Sequence, residues 1–537
     1  MKRFLKYVGA FIAGVAMIAC SEDYLDVKPT SAVDGETMTS DIENYGLYIN
    51  GINQLMVTQQ STFGQGYCGM SDVLVDIGNS CGNDWSAERF GGYNSANMKL
   101  NVNNQAAYSQ YAWWFFYQII GQANRILAQI DTAAGEDESA RAFYKAQALT
   151  YRAYCYQYLV QIFSKRWMDS NNGASDGVIL RLTDSTDEMP VSTLAQCYQQ
   201  IYQDCDDAIR LYEESGRSNK YFYEPGINMA YGVKARAAAA REDWETAATN
   251  AAYAYDGYDL MSERDFQDGF CESNSEWIYG GYGSSAENMW YYTFGTYYGY
   301  NAYYSAAAGY NVLGNRELVD KLNDTDIRKK LFFAQSWFPQ YDFDAYINQG
   351  YIGSYLQVHT SMQRVFWAYM HSLEGPAKRY GQTSYYPTKP CIYGQLKFAV
   401  FDLPGVSNMC WMRAAEFYLL EAEALCKQAT PDYTKAQELL YTINSARDAS
   451  YEKSTKTAQD LIDEIMFYRR AELWGEGHDW FDLKRTGASI SRKSYKNNGG
   501  GTFGSQFAVT VGPNDPGTND WVWVIPLIET QYNDMIE

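Results

Sequence analysis

Apolar and polar positions alternate along this chain so as to mark a series of helices separated by two long stretches without helical period. An amphipathic pattern from about Asp41 to Gln60 predicts a first helix. From Trp113 the signal is dense, with WWFFYQIIGQANRILAQI followed by ARAFYKAQALTYRAYCYQYLVQIF. In the second run Ala146, Leu149, Ala153, Tyr156, Val160 and Phe163 form one stripe, as expected of a helix facing a partner. Small residues interleaved with Tyr, Leu and Phe suit closely approaching helix pairs. Further helices are predicted over Leu194 to Tyr212, Asn228 to Arg241 and Arg413 to Gln428. The last two are each followed by Asp-(Trp/Tyr)-x-x-Ala, at Asp243–Ala247 and Asp432–Ala436, opening a second helix. These are tetratricopeptide-like pairs without the strict ~34-residue period.

The two aperiodic stretches differ from this background. Gly64 to Val102 is rich in Gly, Asn and Ser, with Trp85, Arg89, Phe90 and Tyr93 among them, and reads as a surface loop carrying aromatics. Ser262 to Asp402 is rich in Gly, Tyr, Ser and Asn, and reads as an insertion splitting the helical pairs. The predicted division is therefore a helical part over 41–261, the insertion over 262–402, and C-terminal helical pairs with a closing segment over 403–537. Within the last part, Ile462, Ile465, Met466 and Leu473 predict a helix running into Trp474. Gly475 and Gly477 break it, since glycine most easily takes the left-handed cap conformation. Glu472, Glu476, His478, Asp479 and Asp482 crowd together there, beside the apolar Trp480, Phe481 and Leu483. Acids this dense read as compensated by Arg469, Arg470, Lys484 and Arg485, closing a helix onto a core rather than forming a catalytic site. A Gly/Asn loop from Asn497 to Asn519 precedes the alternation Trp521, Trp523, Ile525, which Pro526 stops.

The formal net charge of −21 argues against nucleic acid or anionic lipid as a partner. Tyrosine, at 49 residues, exceeds what core packing alone would use, and its amphipathic ring suits binding surfaces as well as half-buried helix faces. At the N-terminus Lys2, Arg3 and Lys6 precede an apolar run from Val8 to Ile18. That run is too short to span a bilayer and has the layout of a signal peptide, residues 1–19. Met17-Ile18-Ala19-Cys20 looks like a bacterial lipobox, with Cys20 acylated and a tether over 20–40. The other nine cysteines are odd in number and lack CxxC spacing, so they predict neither a disulfide framework nor a zinc site. No HExxH, GxSxG or phosphate-binding loop occurs, and no catalytic or metal-ligating residue is assigned. Asp169, Asn171, Asn172 and Asp176 form a loose oxygen cluster that could hold a structural calcium but lacks EF-hand order, and it reads by default as solvated loop.

The lipobox followed by Leu25-Asp26, the run Arg413 to Ala424, and RRAELWGEGHDWFDLKRTG from Arg469 to Gly487 resemble SusD-like (RagB/SusD) glycan-binding lipoproteins. Asp326-Ile327-Arg328 matches that family's Asp-x-Arg element, Glu276-Trp277-Ile278 its short strand, and IPLIETQYN its closing segment. The resemblance runs end to end from Cys20. It implies a mainly α fold of irregular tetratricopeptide-like pairs with a loop-rich insertion carrying short strands. It further implies a lipid-anchored outer-membrane protein, exposed at the cell surface, that binds oligosaccharide and hands it to a TonB-dependent SusC-like transporter.

Sugars are gripped by aromatic rings on their faces and by Asn, Asp, Gln, Arg and Tyr on their hydroxyl rims. Two loop-borne groups fit that chemistry: Asn83, Asp84, Trp85, Arg89 and Tyr93, and then Trp290, Tyr291, Tyr292, Tyr297, Tyr298 and Tyr300. In the resembling family the glycan platform is built from these same two regions. The competing account is that the insertion's tyrosines pack on one another as a satellite core. Two other functions are compatible with the composition: a surface glycoside hydrolase using two carboxylates, and a peptide-binding helical scaffold.

Overall fold

The computed structural model describes residues 40–62, 65–74, 77, 101–285, 294–302, 312–337, 339–348, 392–402, 405–493 and 509–536. The helical runs read from the sequence form α1 Tyr45–Leu55, α2 Ala107–Gln129, α3 Glu138–Phe163, α4 Leu194–Ser215, α5 Ile227–Ala240 and α6 Trp244–Tyr255. After the insertion come α7 Ala414–Lys427, α8 Tyr433–Arg447, α9 Ala458–Glu472 and α10 Asp479–Thr486. From α2 to α8 each helix packs on the next in chain order. α6 meets α7 directly although the whole insertion lies between them in sequence, and α9 closes on α7. This is a mainly α fold of irregular helical pairs interrupted once.

Side-chain caps set where these helices begin. Asp137 accepts from the Ala140 amide at 2.8 Å, and Thr193 with Gln196 forms a reciprocal capping box. The Asp-(Trp/Tyr)-x-x-Ala element is the same device used twice. Asp243 accepts from Thr246 N at 3.3 Å and Asp432 from Lys435 N at 2.9 Å, satisfying an amide that the first helical turn leaves unpaired. The alanines that end the two elements, Ala247 and Ala436, are fully buried.

α3 is the central helix, buried on every side from Ala146 to Val160. Its polar groups are partnered: Arg152 bonds Asp204 through two nitrogens (2.8 and 2.6 Å) and Asn124 at 2.9 Å. Tyr151, Tyr154, Tyr156 and Tyr158 all lie in this core. Part of the tyrosine excess is thus spent on packing, with the Tyr156 hydroxyl donating to the Arg181 carbonyl at 2.8 Å.

Among the described residues, three two-stranded antiparallel sheets decorate the helices. β1 Gln59–Thr62 pairs with β2 Gln65–Cys68, and β5 Ile490–Arg492 pairs with β6 Val509–Val511; between them in sequence, β3 Trp277–Gly281 pairs with β4 Met409–Arg413. Trp277 faces Arg413 and Gly281 faces Met409, so this sheet ties the start of the insertion to the helices after it. The insertion has its own apolar cluster, including Phe266, Phe270, Trp277, Leu313, Phe332 and Phe398, which Ala471 and Trp474 of the α9 region join.

Two expectations are corrected. The first helix stops at Leu55, and Gln59 and Gln60 are strand. The loop expected from Gly64 begins instead as β2 and a short helix Gly69–Val73, with Met70, Val73, Leu74 and Ile77 buried. Those four positions carry the i, i+3, i+4, i+7 pattern of a helix face, although glycines and asparagines surround them. Among the described residues no helix is long and apolar enough to cross a membrane.

Candidate functional site

The crowded acids near the C-terminus are one end of a buried charge cluster. Glu472 faces three guanidiniums: Arg413 at 2.9 Å, Arg447 at 3.1 Å and Arg328 at 3.4 Å. Arg413 also clasps Glu476 through Nε (2.8 Å) and Nη2 (2.7 Å), and reaches Glu276 at 2.6 Å. Arg447 bonds the other oxygen of Glu276 at 3.1 Å, Arg328 pairs with Asp326 at 2.7 Å, and Lys397 with Glu476 at 2.5 Å. Four cations and four anions balance within a volume almost closed to water. Burial alone raises the Glu472 pKa, but Arg447, Arg413 and Arg328 outweigh it and hold the carboxyl well below its usual range. For Glu476 the same contest, won by Arg413 and Lys397, leaves the pKa at about 2. Both are permanently ionised near neutral pH, so neither can donate the proton that glycoside hydrolysis requires of its acid.

A second layer of pairs seals α10 onto the core. Arg469 bonds Asp482 at 2.7 Å, Arg470 bonds Asp479 at 2.8 Å, and Arg485 clamps Glu423 at 2.8 and 2.6 Å. Arg236 clamps Glu416 at 2.7 and 2.6 Å. Burial drives the His478 pKa down to about 4, so the ring beside Glu416 is neutral. Lys484 departs from its expected pairing with an acid. Its ammonium donates to the carbonyls of Gln161 and Ser164 and lies over the Trp480 ring, and burial pushes its pKa down to about 7. Gly475 and Gly477 take φ of +78° and +89°, the left-handed break expected of them. The whole segment is architecture.

The expected ligand-facing residues fall differently. Cys20, Asn83, Asp84, Trp85, Arg89, Tyr93, Trp290, Tyr291 and Tyr292 lie outside the described residues. Tyr297 sits in the short helix Phe294–Tyr298. Tyr298 and Tyr300 are buried in the insertion's apolar cluster, and Tyr298 stacks on Phe294 with centroids 4.7 Å apart. As they stand these two are wall residues, with no ring face open to a ligand. Cys155, Cys197, Cys205 and Cys426 are buried and make no disulfide. Asp169 of the loose oxygen cluster is held by Arg166. Among the described residues no group of three His, Cys, Asp or Glu is placed to hold a metal.

The sequence reading missed an exposed aromatic surface. In the polar loop between α4 and α5, Phe222 turns inward, edge-on to Trp277 at 5.5 Å, and its carbonyl accepts from Gly280 N at 2.9 Å. Its neighbours Tyr221 and Tyr223 stack with an interplanar angle of 5° and centroids 5.1 Å apart. Tyr282, just beyond β3, packs against Tyr223 at 5.5 Å. Tyr221 and Tyr282 are 52% and 53% exposed, far more than rings used for packing alone. Burial, then Glu224, raises the Tyr223 pKa, so its hydroxyl stays neutral and able both to donate and to accept. The legible signal was the aromatic run Tyr221-Phe222-Tyr223 amid polar residues; the segment is a turn, with Glu224 N donating to the Tyr221 carbonyl at 3.1 Å, and the turn sets which ring faces inward. Tyr282 also begins the stretch that leads to Trp290.

Known proteins resemble the chain over most of its length. A family model described as "Starch-binding associating with outer membrane" matches residues 23–238, and the model of the SusD family matches residues 215–536. A SusD-like protein of Formosa agariphila is 35% identical over 92 residues, a match covering 16% of this chain and 18% of that relative. Among solved structures, a SusD-like carbohydrate binding protein from Bacteroides vulgatus superposes with a TM-score of 0.70 at 20% identity, covering 93% of this chain and 97% of the other. A SusD superfamily protein from Bacteroides thetaiotaomicron gives 0.67 at 20% identity over 93% and 99%. A laminarin binding SusD-like protein gives 0.61 at 17% identity over 93% and 99%.

Proposed function

Because this chain belongs to the SusD family, we infer that it is a surface lipoprotein, acylated at Cys20, that captures oligosaccharides and passes them to a TonB-dependent SusC-like transporter. The observation that carries the capture is the exposed group of Tyr221 and Tyr223, stacked, with Tyr282 tilted against Tyr223, on a chain of this family. Flat, half-hydrated rings with free hydroxyl rims match the C–H faces and hydroxyls of sugars. Tyr282 lies in sequence just before the stretch bearing Trp290, and we read these tyrosines as acting together with Trp85 and Trp290 in ligand capture. Anchoring rests on the lipobox, and the acidic helical surface is one docking face for the transporter.

Calorimetry and native-gel retardation with residues 21–537 over α-glucans, laminarin, plant, fungal and mucin glycans test this reading. Binding that falls several-fold in Tyr282→Ala, Trp290→Ala and Trp85→Ala, with melting unchanged, supports it. A well-folded protein that retards with none of them sinks it. Cys20→Ala is expected to release the full chain from the membrane fraction; membrane attachment that survives the change refutes acylation at Cys20.

A further inference from the structure

One stripe of α2 runs along the rim of the core, where Trp114 is only partly buried. Trp114, Gln118, Gly121, Gln122 and Arg125 follow one another at helical spacing and line one wall of a cleft of about 840 Å³, within the ~300–1,000 Å³ usual for small-molecule sites. The facing wall is the segment from Arg181 to Thr186, and Glu529 closes one end. None of these residues belongs to the loop regions 64–102 or 262–402. We propose that this cleft is a second carbohydrate site, taking a neutral oligosaccharide; the inference rests on the glycan-capture reading above.

Three observations favour that occupant. The Gln118 Oε1 is buried in the structure and has no hydrogen-bond partner among the described residues, an acceptor that a sugar hydroxyl would satisfy. Gln122 accepts from the Tyr48 hydroxyl at 2.8 Å, which leaves its amide N–H groups as donors to the same ligand. The charges, by contrast, are already balanced within the protein. Arg181 pairs with Glu529 at 3.3 Å and donates to the Asp187 carbonyl at 2.8 Å, while Glu529 also accepts from Trp113 Nε1 at 3.2 Å. Arg125, which hydrogen-bonds the Tyr48 hydroxyl, and Asp184 also line the cleft, so its formal charges sum to zero on a chain whose net charge is −21. An anionic ligand gains no net attraction here, whereas a half-buried indole at Trp114 with amides along one helix face suits an uncharged pyranose chain.

Gly121 makes the test clean, because a Cβ built there meets no atom within 4 Å. Gly121→Leu therefore projects into the cleft without disturbing the helix, and Gly121→Ala is its control. Calorimetry of residues 21–537 with graded malto-, laminari- and manno-oligosaccharides, and with oligogalacturonates as the anionic comparison, reads out affinity and stoichiometry. The expected result is more than one neutral oligosaccharide per wild-type chain. Gly121→Leu and Gln118→Leu each remove one, or weaken it roughly tenfold or more as loss of a buried hydrogen-bond partner does, while Gly121→Ala does not. Unchanged stoichiometry and affinity in both leucine variants overturn the cleft assignment and leave capture by the aromatic platform standing. Oligogalacturonate bound in preference, and lost in those variants, overturns the neutral class. No binding of any sugar to wild type overturns the proposed function itself, and this site with it.

Discussion

Glu472 is the residue on which the buried charge cluster turns. Replacing it with Gln removes one of four anions and leaves three guanidiniums short of charge in a volume that water does not reach. Breaking such a buried set by removing one partner costs about 3–5 kcal/mol, so Glu472→Gln is expected to lower the urea midpoint sharply. Glu438→Gln, which removes an exposed pair with Lys453, is expected to change stability by less than ~0.5 kcal/mol. Equal losses from the two would contradict the compensated-charge account. The same burial gives a pH dependence. His478 titrates at about 4 in the fold against 6.5 unfolded, so between those values the unfolded chain holds a proton that the native one lacks. Stability contributed there is fully present above pH 6.5 and is lost as pH falls towards 4. Glu476, at about 2 against 4.5, adds a further loss below pH 4.5. Denaturation midpoints measured from pH 7 to 4 should fall, and His478→Gln should flatten that limb; a limb of unchanged slope in the variant would assign the loss to other groups.

At the scale of elements, caps and glycines place the helix ends, and two substitutions of opposite sign test this. Gly475→Ala puts a Cβ at φ +78° and 2.5 Å from the Phe398 ring, so a loss of ~1–3 kcal/mol is expected from backbone strain alone. Gly121→Ala, in the middle of exposed α2 surface with nothing near its Cβ, is expected to stabilise by ~0.5–1 kcal/mol. Asp243→Ala and Asp432→Ala should each lose ~1 kcal/mol with their N-cap bonds. Thermal melts of these four variants check the set. The caps were visible in the sequence as the repeated Asp-(Trp/Tyr)-x-x-Ala element. The helix Gly69–Val73 was not recognised, because its apolar positions lie in a stretch whose composition reads as loop.

At the scale of the molecule, the insertion and the helical pairs share one charge set. Glu276, Asp326, Arg328 and Lys397 come from the insertion, and Arg413, Arg447, Glu472 and Glu476 from the C-terminal part. Neither half can be withdrawn without exposing the other's buried charges, and Trp474 packs into the insertion's apolar cluster besides. Differential scanning calorimetry should therefore show one cooperative transition for both parts. Two resolved transitions, with Trp277 and Trp480 reporting separately, would mean that the insertion folds as an independent domain.

What the sequence by itself determined is the part governed by local rules: the helical runs, their caps, the left-handed glycines after α9 and the point at which the pairs are interrupted. Period and propensity act within a few residues, so they can be read without knowing what lies across the fold. It also identified Asp326, Arg328 and the acids from Glu472 to Asp482 as meaningful. Only the tertiary structure decided how they combine, because Arg328, Arg413 and Arg447 reach Glu472 from separate points of the chain and Glu276 joins through two of them, and burial rather than spacing sets their ionisation. The same holds for the tyrosines. Tyr298 and Tyr300 share their composition with Tyr221 and Tyr282, yet packing places the first pair inside and leaves the second in water. A side chain's exposure is a property of what folds over it, and that information is absent from its neighbours in sequence.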